Sequence, residues 1–311
     1  MKTEKALITG GAGFIGSHLV DDLIKNGYEV MIVDNLLSGN KENISNIVSN
    51  NIYYDDIGSD QVLQNIIEFD PDICFHLAAQ SSVVISVDNP MLDFEHNILQ
   101  PLKLIKVLLK TNCRKLVFSS SGGTIFGEPE IIPTSEKDFA GEPESPYGVA
   151  KKRLNEFIEL LLEDIPTMSY SILNFSNVYG PRQDPNGEAG VISIFTSKMM
   201  NNAEPIVFGD GKQTRDYIYV QDVVDALIKS SEIDENLFLN IGTGVETSVN
   251  ELVSTLKNTI GYEGKVLYYP KRDGELLRSV LDNSKAKKVL GWDPKFSLND
   301  GIIELIQWLK A

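Results

Sequence analysis

Residues 7–16 read Leu-Ile-Thr-Gly-Gly-Ala-Gly-Phe-Ile-Gly. The apolar run before them has the length of a buried strand. From Phe14 onward, Ile15, Leu19, Val20, Leu23 and Ile24 recur at helical spacing. Gly10, Gly13 and Gly16 stand in the turn between the two. One glycine permits the tight turn, one lets the backbone approach a pyrophosphate, and one lets helix pack on strand. The helix N-terminus then offers its free N–H groups to phosphate oxygens. A second apolar run, 28–33, delivers Asp34 to the place where ribose hydroxyls would lie. A carboxylate there accepts from hydroxyls and repels an added phosphate, so the pattern predicts NAD rather than NADP. Without that ligand, the glycines would mark only a tight turn in a cofactor-free α/β domain.

Strand-like runs at 5–9, 29–33, 52–54, 73–77, 115–119 and 168–173 alternate with helix-like runs at 14–26, 60–69, 92–109 and 147–163. This rhythm predicts the α/β class, as a Rossmann-type doubly wound parallel sheet. The pattern changes after Tyr179-Gly180-Pro181. Residues 182–215 are rich in Gly, Pro and Asn, with a short helix at 191–200, whereas 220–231 and 238–241 again read as helix and strand. A helix at 249–259 and a strand at 266–269 follow. The expected organisation is an NAD-binding domain over 1–178, with 216–241 returning to it. A smaller, partly interwoven substrate-binding cap is expected over 179–215 and 242–311.

The net charge of −16 argues against nucleic-acid or anionic-membrane partners. Anionic ligands must then be met by specific arginines and helix termini. Cys74 and Cys113 sit in apolar runs and read as buried free thiols, not as a disulfide framework or metal site. His18, His76 and His96 lack metal-ligand spacing and read as structural. No signal peptide or long apolar span is evident, so a cytoplasmic protein is expected.

Tyr147 and Lys151 lie four apart at the start of a helical pattern and so share a face. Lowering a tyrosine pKa from about 10 to about 7 requires roughly 4 kcal/mol of differential stabilisation. A nearby ammonium and a positive nicotinamide ring can supply it, and the lysine can also hold the nicotinamide ribose. Such a pair is otherwise an ordinary surface pair; behind a dinucleotide fold it reads as a catalytic base and its partner.

The chain resembles an extended short-chain dehydrogenase/reductase of the NAD-dependent epimerase/dehydratase family, closest to the UDP-glucose 4-epimerase group. The motifs that carry the resemblance span nearly the whole chain. They are Thr9–Gly16, Asp34-Asn35-Leu36, Asp56-Ile57, His76–Gln80, Asn97, Ser119–Gly127, Ser145–Lys151, Asn177–Gln183, Gly209–Asp216, Arg272–Glu275 and Leu290–Pro294. The resemblance implies that Phe14, Ile15, Asn35 and Ser119 also belong to the cofactor site. Asp56 and Ile57 would contact adenine, and Leu77, Ala78, Ala79 and Gln80 would line the cleft. Asn97 would support its floor, and Val178 would sit near the nicotinamide. Asn177, Arg215 and Arg272 would hold a sugar nucleotide's diphosphate, a role that suits the planar arginine fork. Arg215 alternatively pairs with Asp216 on the surface. Arg278 reads as a further phosphate contact or an exposed base, and Phe208 as a uracil platform or cap core. A homodimer through the helices over 92–109 and 147–163 is also implied.

Two departures from the family matter. Its usual Ser/Thr, which bonds the substrate hydroxyl, falls on Gly122 here; Ser121 and Thr124 are the hydroxyls at hand, with Ser121 favoured. Phe126 replaces a tyrosine. Some epimerases also place a gating tyrosine just before the Leu-Asp of the C-terminal motif, where this chain has Ser279. Serine would leave room for an N-acetyl group, unless residue 279 is only a loop residue. The activity implied is C4 epimerisation of a UDP-sugar through a 4-keto intermediate. A 4,6-dehydratase would commonly carry an Asp-Glu pair where Gly122 and Gly123 stand. The alternative readings are another nucleotide-sugar oxidoreductase and a non-catalytic NAD-binding regulator.

Overall fold

Continuous apolar strands are stable where both sheet faces are covered, and the chain supplies covers on both. The computed structural model describes residues 3–138, 141–185, 190–271 and 276–310. Seven parallel strands form the central sheet. They are β1 (Lys5–Thr9), β2 (Glu29–Val33), β3 (Ile52–Tyr53), β4 (Ile73–His76), β5 (Lys115–Ser121), β6 (Ser169–Phe175) and, after four short strands elsewhere, β11 (Leu237–Ile241). Their spatial order is β3-β2-β1-β4-β5-β6-β11. The order reverses between β1 and β4, and a crevice is expected beyond the carboxyl ends of the strands at that point. Two strands depart usefully from expectation. The fifth runs on to Ser121, and the sixth occupies Ser169–Phe175.

Alternation along β1 shows how the layers are built. Ala6 and Ile8 face a core with Leu19, Val20 and Leu23 of α1 (Phe14–Lys25), whereas Leu7 faces the opposite core with Val62 and Ile66 of α2 (Asp60–Phe69). The expected helix over 92–109 is instead three pieces. After α3 (Val83–Asp88) come α4 (Pro90–Phe94), a wide π-turn over Glu95–Leu99, and α5 (Gln100–Leu108). Pro101 explains the break, because its ring nitrogen cannot donate to the carbonyl of Asn97. Helix α6 (Pro146–Leu162) covers the same face as α2 and α5.

The remaining elements make shorter sheets. Parallel β7 (Asn177–Tyr179) pairs with β10 (Tyr217–Tyr219), and parallel β8 (Ile206–Phe208) pairs with β13 (Leu267–Tyr269). A three-stranded sheet has the order β12 (Thr247–Ser248), β9 (Thr214–Arg215), β14 (Arg278–Ser279). Helices α7 (Val191–Met200) and α9 (Val249–Ile260) enclose a separate core with α11 (Leu298–Lys310), which includes Phe195, Val207, Leu252, Leu256 and Leu305. Helix α8 (Val220–Ser231) packs beside α1, and α10 (Ser284–Leu290) lies against β11. Among the described residues, no helix is long and apolar enough to cross a membrane.

Candidate active site

A crevice of about 300 Å³ opens at the carboxyl ends of β1, β4 and β5. Gly10, Gly13, Phe14, Ile15 and Gly16 form one wall. Gly10 has φ +73°, and a Cβ on Gly16 would stand 2.0 Å from its carbonyl oxygen. No side chain of this size tolerance exists except hydrogen, so helix and turn approach as closely as a pyrophosphate cradle requires. Helix α1 has no side-chain cap at Gly13, which leaves its first N–H groups for a ligand.

Asp34 lines the same crevice and is 5% exposed. Its carboxylate accepts from the N–H groups of Ala12 at 2.9 Å and Leu36 at 2.8 Å. Burial raises its pKa, while these amide bonds and that from Gly13 pull it down. Asn35 and Ile57 line the crevice too, and Asn35 donates to Asp56 at 2.7 Å. Asp56 itself is not in the lining.

Leu77, Ala78 and Ala79 face the crevice, but Gln80 corrects the expectation. It is 3% exposed and turned inward, because its amide is fully engaged. It donates to the carbonyl of Ser82 and to Asp93 Oδ1, each at 2.9 Å, and accepts from the Ser82 N–H. Ser81 lines the crevice instead. Asn97 likewise lies beneath it, accepting from the Gln80 N–H at 3.1 Å and donating to the Gln80 carbonyl at 2.9 Å and to Asp93. Both amides therefore support the floor, with Asp93 as their shared acceptor. The π-turn sets Asn97 at this point.

Ser145 caps α6 by accepting from the Gly148 N–H, with Pro146 in the first turn. That start fixes Tyr147 and Lys151 on the crevice face, where both are buried. Lys151 Nζ donates to the Ser119 carbonyl at 2.9 Å and lies 4.7 Å from the centre of the Phe118 ring. Burial pushes the Lys151 ammonium down to about 7, and Asp93 opposes that shift. Burial pushes Tyr147 up to about 12, and the Ser121 hydroxyl, which can donate to the phenolate, opposes this. In the protein alone, desolvation thus outweighs the tuning expected from the lysine.

The two candidate hydroxyls separate. Ser121 lines the crevice beside Tyr147, whereas Thr124 donates back to the Ser121 carbonyl at 3.4 Å and is not in the lining. Thr124 is thus turned toward the main chain and Ser121 toward the crevice. Gly122 has a physical reason: a Cβ there would lie 2.5 Å from Leu281 Cδ1. Leu281 fills the space of the missing side chain, and the end of β5 presents the adjacent hydroxyl. Phe126 is 2% exposed and packs with Ile125 and Leu281.

Val178 lines the crevice, and Asn177 lines a second cavity of about 390 Å³. Arg215, Phe208, Gln213 and Lys198 contribute to this cavity. Gln183 lines the crevice, donates to the Val178 carbonyl at 3.2 Å and accepts from Ser193 on α7. The alternative surface pairing of Arg215 with Asp216 is not what holds Asp216. That carboxylate is 1% exposed and accepts from Thr243, Gly244 and Leu281. Arg278 is 54% exposed and bound in a two-point fork to Glu246, at 2.5 and 2.6 Å, which agrees with its reading as an exposed base over that as a phosphate contact. Ser279 is not a loop residue; it is 8% exposed in β14, in register with Arg215, and lines neither cavity. Arg272 lies outside the described residues.

Sequence reasoning missed Lys198 and His96. His96 lines the crevice but was read as structural, since nothing in its spacing distinguishes it. His18 does have a structural partner, with Nε2 at 3.0 Å from the Pro181 carbonyl oxygen.

The sequence family described as GDP-mannose 4,6 dehydratase matches residues 7–305. Among solved structures, the UDP-glucose 4-epimerase of Thermotoga maritima with UDP-glucose is 44% identical, with TM-score 0.93 over 98% of both chains. The Thermus thermophilus UDP-glucose 4-epimerase in complex with NAD is 35% identical, with TM-score 0.90 over 99% of both chains. The UDP-N-acetylglucosamine 4-epimerase of Methanobrevibacter ruminantium, in complex with UDP-N-acetylmuramic acid, is 34% identical, with TM-score 0.93 over 100% of this chain and 99% of that one. With its glycine cradle, its buried Tyr147 and Lys151, and these matches along its length, the chain belongs to the GDP-mannose 4,6-dehydratase-like family of extended short-chain dehydrogenases/reductases, among its UDP-sugar 4-epimerases.

Proposed function

We propose that this chain is an NAD-dependent 4-epimerase of UDP-glucose and UDP-galactose, or of their N-acetylated counterparts. The observation that carries the reading is the convergence of Tyr147, Lys151 and Ser121 in one crevice whose other end is the glycine cradle. The cradle, Asp34 and the small side chains of Ala78 and Ala79 fit a dinucleotide. Gly10, Gly13 and Gly16 would hold its pyrophosphate, Asp34 a ribose, and Lys151 the nicotinamide ribose. Bound NAD supplies reversible hydride acceptance.

Tyr147 acts as base on the sugar 4-hydroxyl. Ser121 donates to or accepts from that same oxygen and steadies the tyrosinate. Turnover requires the 4-keto sugar to present its other face, after which Tyr147 returns the proton. The pair works as a base only once the tyrosine falls from its buried value, so the charge brought by the oxidised cofactor is part of the tuning. Asn177 and Arg215, with Arg272, hold the diphosphate while the sugar turns, and Phe208 supports the uracil. We assign these roles to a cap made of 179–215 and 242–311, with 216–241 returning to the NAD-binding domain over 1–178. A dehydratase is disfavoured because Gly122 and Gly123 offer no acid-base pair. A purely regulatory role would not require Tyr147, Lys151 and Ser121 to be kept together.

The reading includes a homodimer and a cytoplasmic location. Val84, Val87 and Met91 are 67%, 61% and 73% exposed near α6, whose own Leu160 is 75% exposed. A second copy covering this apolar face would remove it from water. Incubation with UDP-hexoses and UDP-N-acetylhexosamines, followed by NMR, tests the function. Epimers without net redox change are expected; a dehydrated product, or none, would overturn it.

A further inference from the structure

The second cavity has a charge pattern at odds with the chain around it. The protein carries 44 acidic residues against 28 lysines and arginines, yet among the described residues the lining contains two cations, Arg215 and Lys198, and no carboxylate. They stand on different elements, Arg215 on β9 and Lys198 on α7. Val191, Ile194, Phe195 and Lys198 follow one another along the helix face that lines the cavity, at the spacing of a single stripe. Three of the four are apolar. The fourth position, where another apolar residue would extend the stripe, is a lysine.

Lys198 is half-buried, and its ammonium has no hydrogen bond or ion pair among the described residues. Two other cap cations are matched. Arg278 is forked by Glu246, and Lys212 stands 3.5 Å from Asp210. A lysine near a helix C-terminus also interacts with the helix dipole. That role does not occupy Lys198, because the end of α7 is closed by backbone N–H groups. Those of Asn201 and Ala203 donate to the Lys198 carbonyl at 3.2 and 2.8 Å. A three-donor ammonium facing a cavity whose described lining holds no carboxylate is complementary to an anionic ligand.

Resting on the proposed function, we infer that Lys198 is a further diphosphate-binding residue, reaching the nucleotide sugar from α7 as Arg215 does from β9. It would neutralise one phosphate charge while Arg215 meets another, and Phe208 and the apolar stripe accommodate the uncharged part of the nucleotide.

The test is titration of UDP, UMP and uridine into NAD-loaded wild type, Lys198→Ala and Lys198→Arg. Loss of one charge-assisted contact predicts about tenfold weaker UDP binding in Lys198→Ala, with most of it restored by arginine. Uridine should bind all three proteins alike, within about twofold on the same reasoning. KM for UDP-glucose should rise in parallel with the UDP dissociation constant. Unchanged UDP affinity in Lys198→Ala overturns the inference, as does an equal loss for uridine, which would place the lysine at the base. Wild type that neither binds UDP nor epimerises a UDP-sugar would instead overturn the function on which the inference rests.

Discussion

In the sheet half, the crevice is made largely of backbone. Gly10 turns at φ +73°, Gly16 lies against its carbonyl, and α1 leaves its first amides uncapped. In the cap half, the cavity is made of side chains on strands of two or three residues, such as Phe208 on β8 and Arg215 on β9. A backbone cradle tolerates almost no substitution and recognises what every dinucleotide shares. A side-chain cavity can be rebuilt one residue at a time. This contrast predicts that lesions in the first half abolish function, whereas those in the second alter affinity and choice.

The largest effect is expected at the junction. Tyr147→Phe should retain fold and NAD but lose turnover by about a hundred- to ten-thousandfold, the usual worth of a positioned acid-base group. Ser121→Ala should lose less, and Thr124→Val should stay near wild type, since its hydroxyl turns back to the Ser121 carbonyl. Steady-state kinetics with cofactor content measured alongside decides this. Near-normal turnover in Tyr147→Phe would require another base.

The cradle can be broken without touching a reacting group. Gly16→Ala places a methyl 2.0 Å from the Gly10 oxygen, so the backbone must move. Overpacking of this kind costs ~1–3 kcal/mol and should reach the upper end here, because the obstruction is main chain. Purified Gly16→Ala should carry far less NAD and melt lower. Gly123→Ala is the control, since nothing lies within 4 Å of a Cβ there. Equal NAD content in both variants would remove the close-approach argument.

The cap should respond in selectivity. Serine at 279 lies in register with Arg215. If it leaves room for an acetamido group, Ser279→Tyr should lower the specificity constant for UDP-N-acetylglucosamine relative to UDP-glucose by roughly tenfold to a hundredfold. An unchanged ratio would mean that residue 279 does not gate the sugar, a result its absence from both cavity linings makes informative.

The same contrast explains what could be read from the sequence. The glycine turn, Asp34 and the Tyr147–Lys151 pair were legible because each depends on local spacing within one strand, turn or helix. Gln80 was misread because its direction depends on Asp93 and Asn97, residues 13 and 17 positions away. The two readings of Arg278 could not be separated, because Glu246 meets it only when β12 and β14 flank β9. Lys198 was missed because a lysine at the end of a helix looks like an ordinary solvent-facing residue until the rest of the cavity is in place. The break at Pro101 could have been anticipated from proline chemistry, but the π-turn that sets Asn97 could not.

Proton linkage sharpens the comparison and gives its smallest expected effect. In the sheet half, Lys151 has its pKa lowered by burial from 10.5 to about 7. Between those values the unfolded chain binds more protons, so stability contributed at this residue rises with pH. In the cap, Glu246 is lowered from 4.5 to about 2, first by its hydrogen bond with Arg278 and then by that with Thr214. Its contribution is present above pH 4.5 and is lost as pH falls toward 2. Glu246 joins β9 to β14 through Thr214 and Arg278, but Arg278 is 54% exposed, so water and salt weaken the attraction. Glu246→Gln should therefore cost no more than about 1 kcal/mol near neutral pH. Thermal melts of wild type and variant should converge as pH falls below 4.5, and their gap should narrow in concentrated salt. A gap that persists at low pH and high salt would mean that Glu246 serves the cap by packing, and that this half too is held by shape more than by charge.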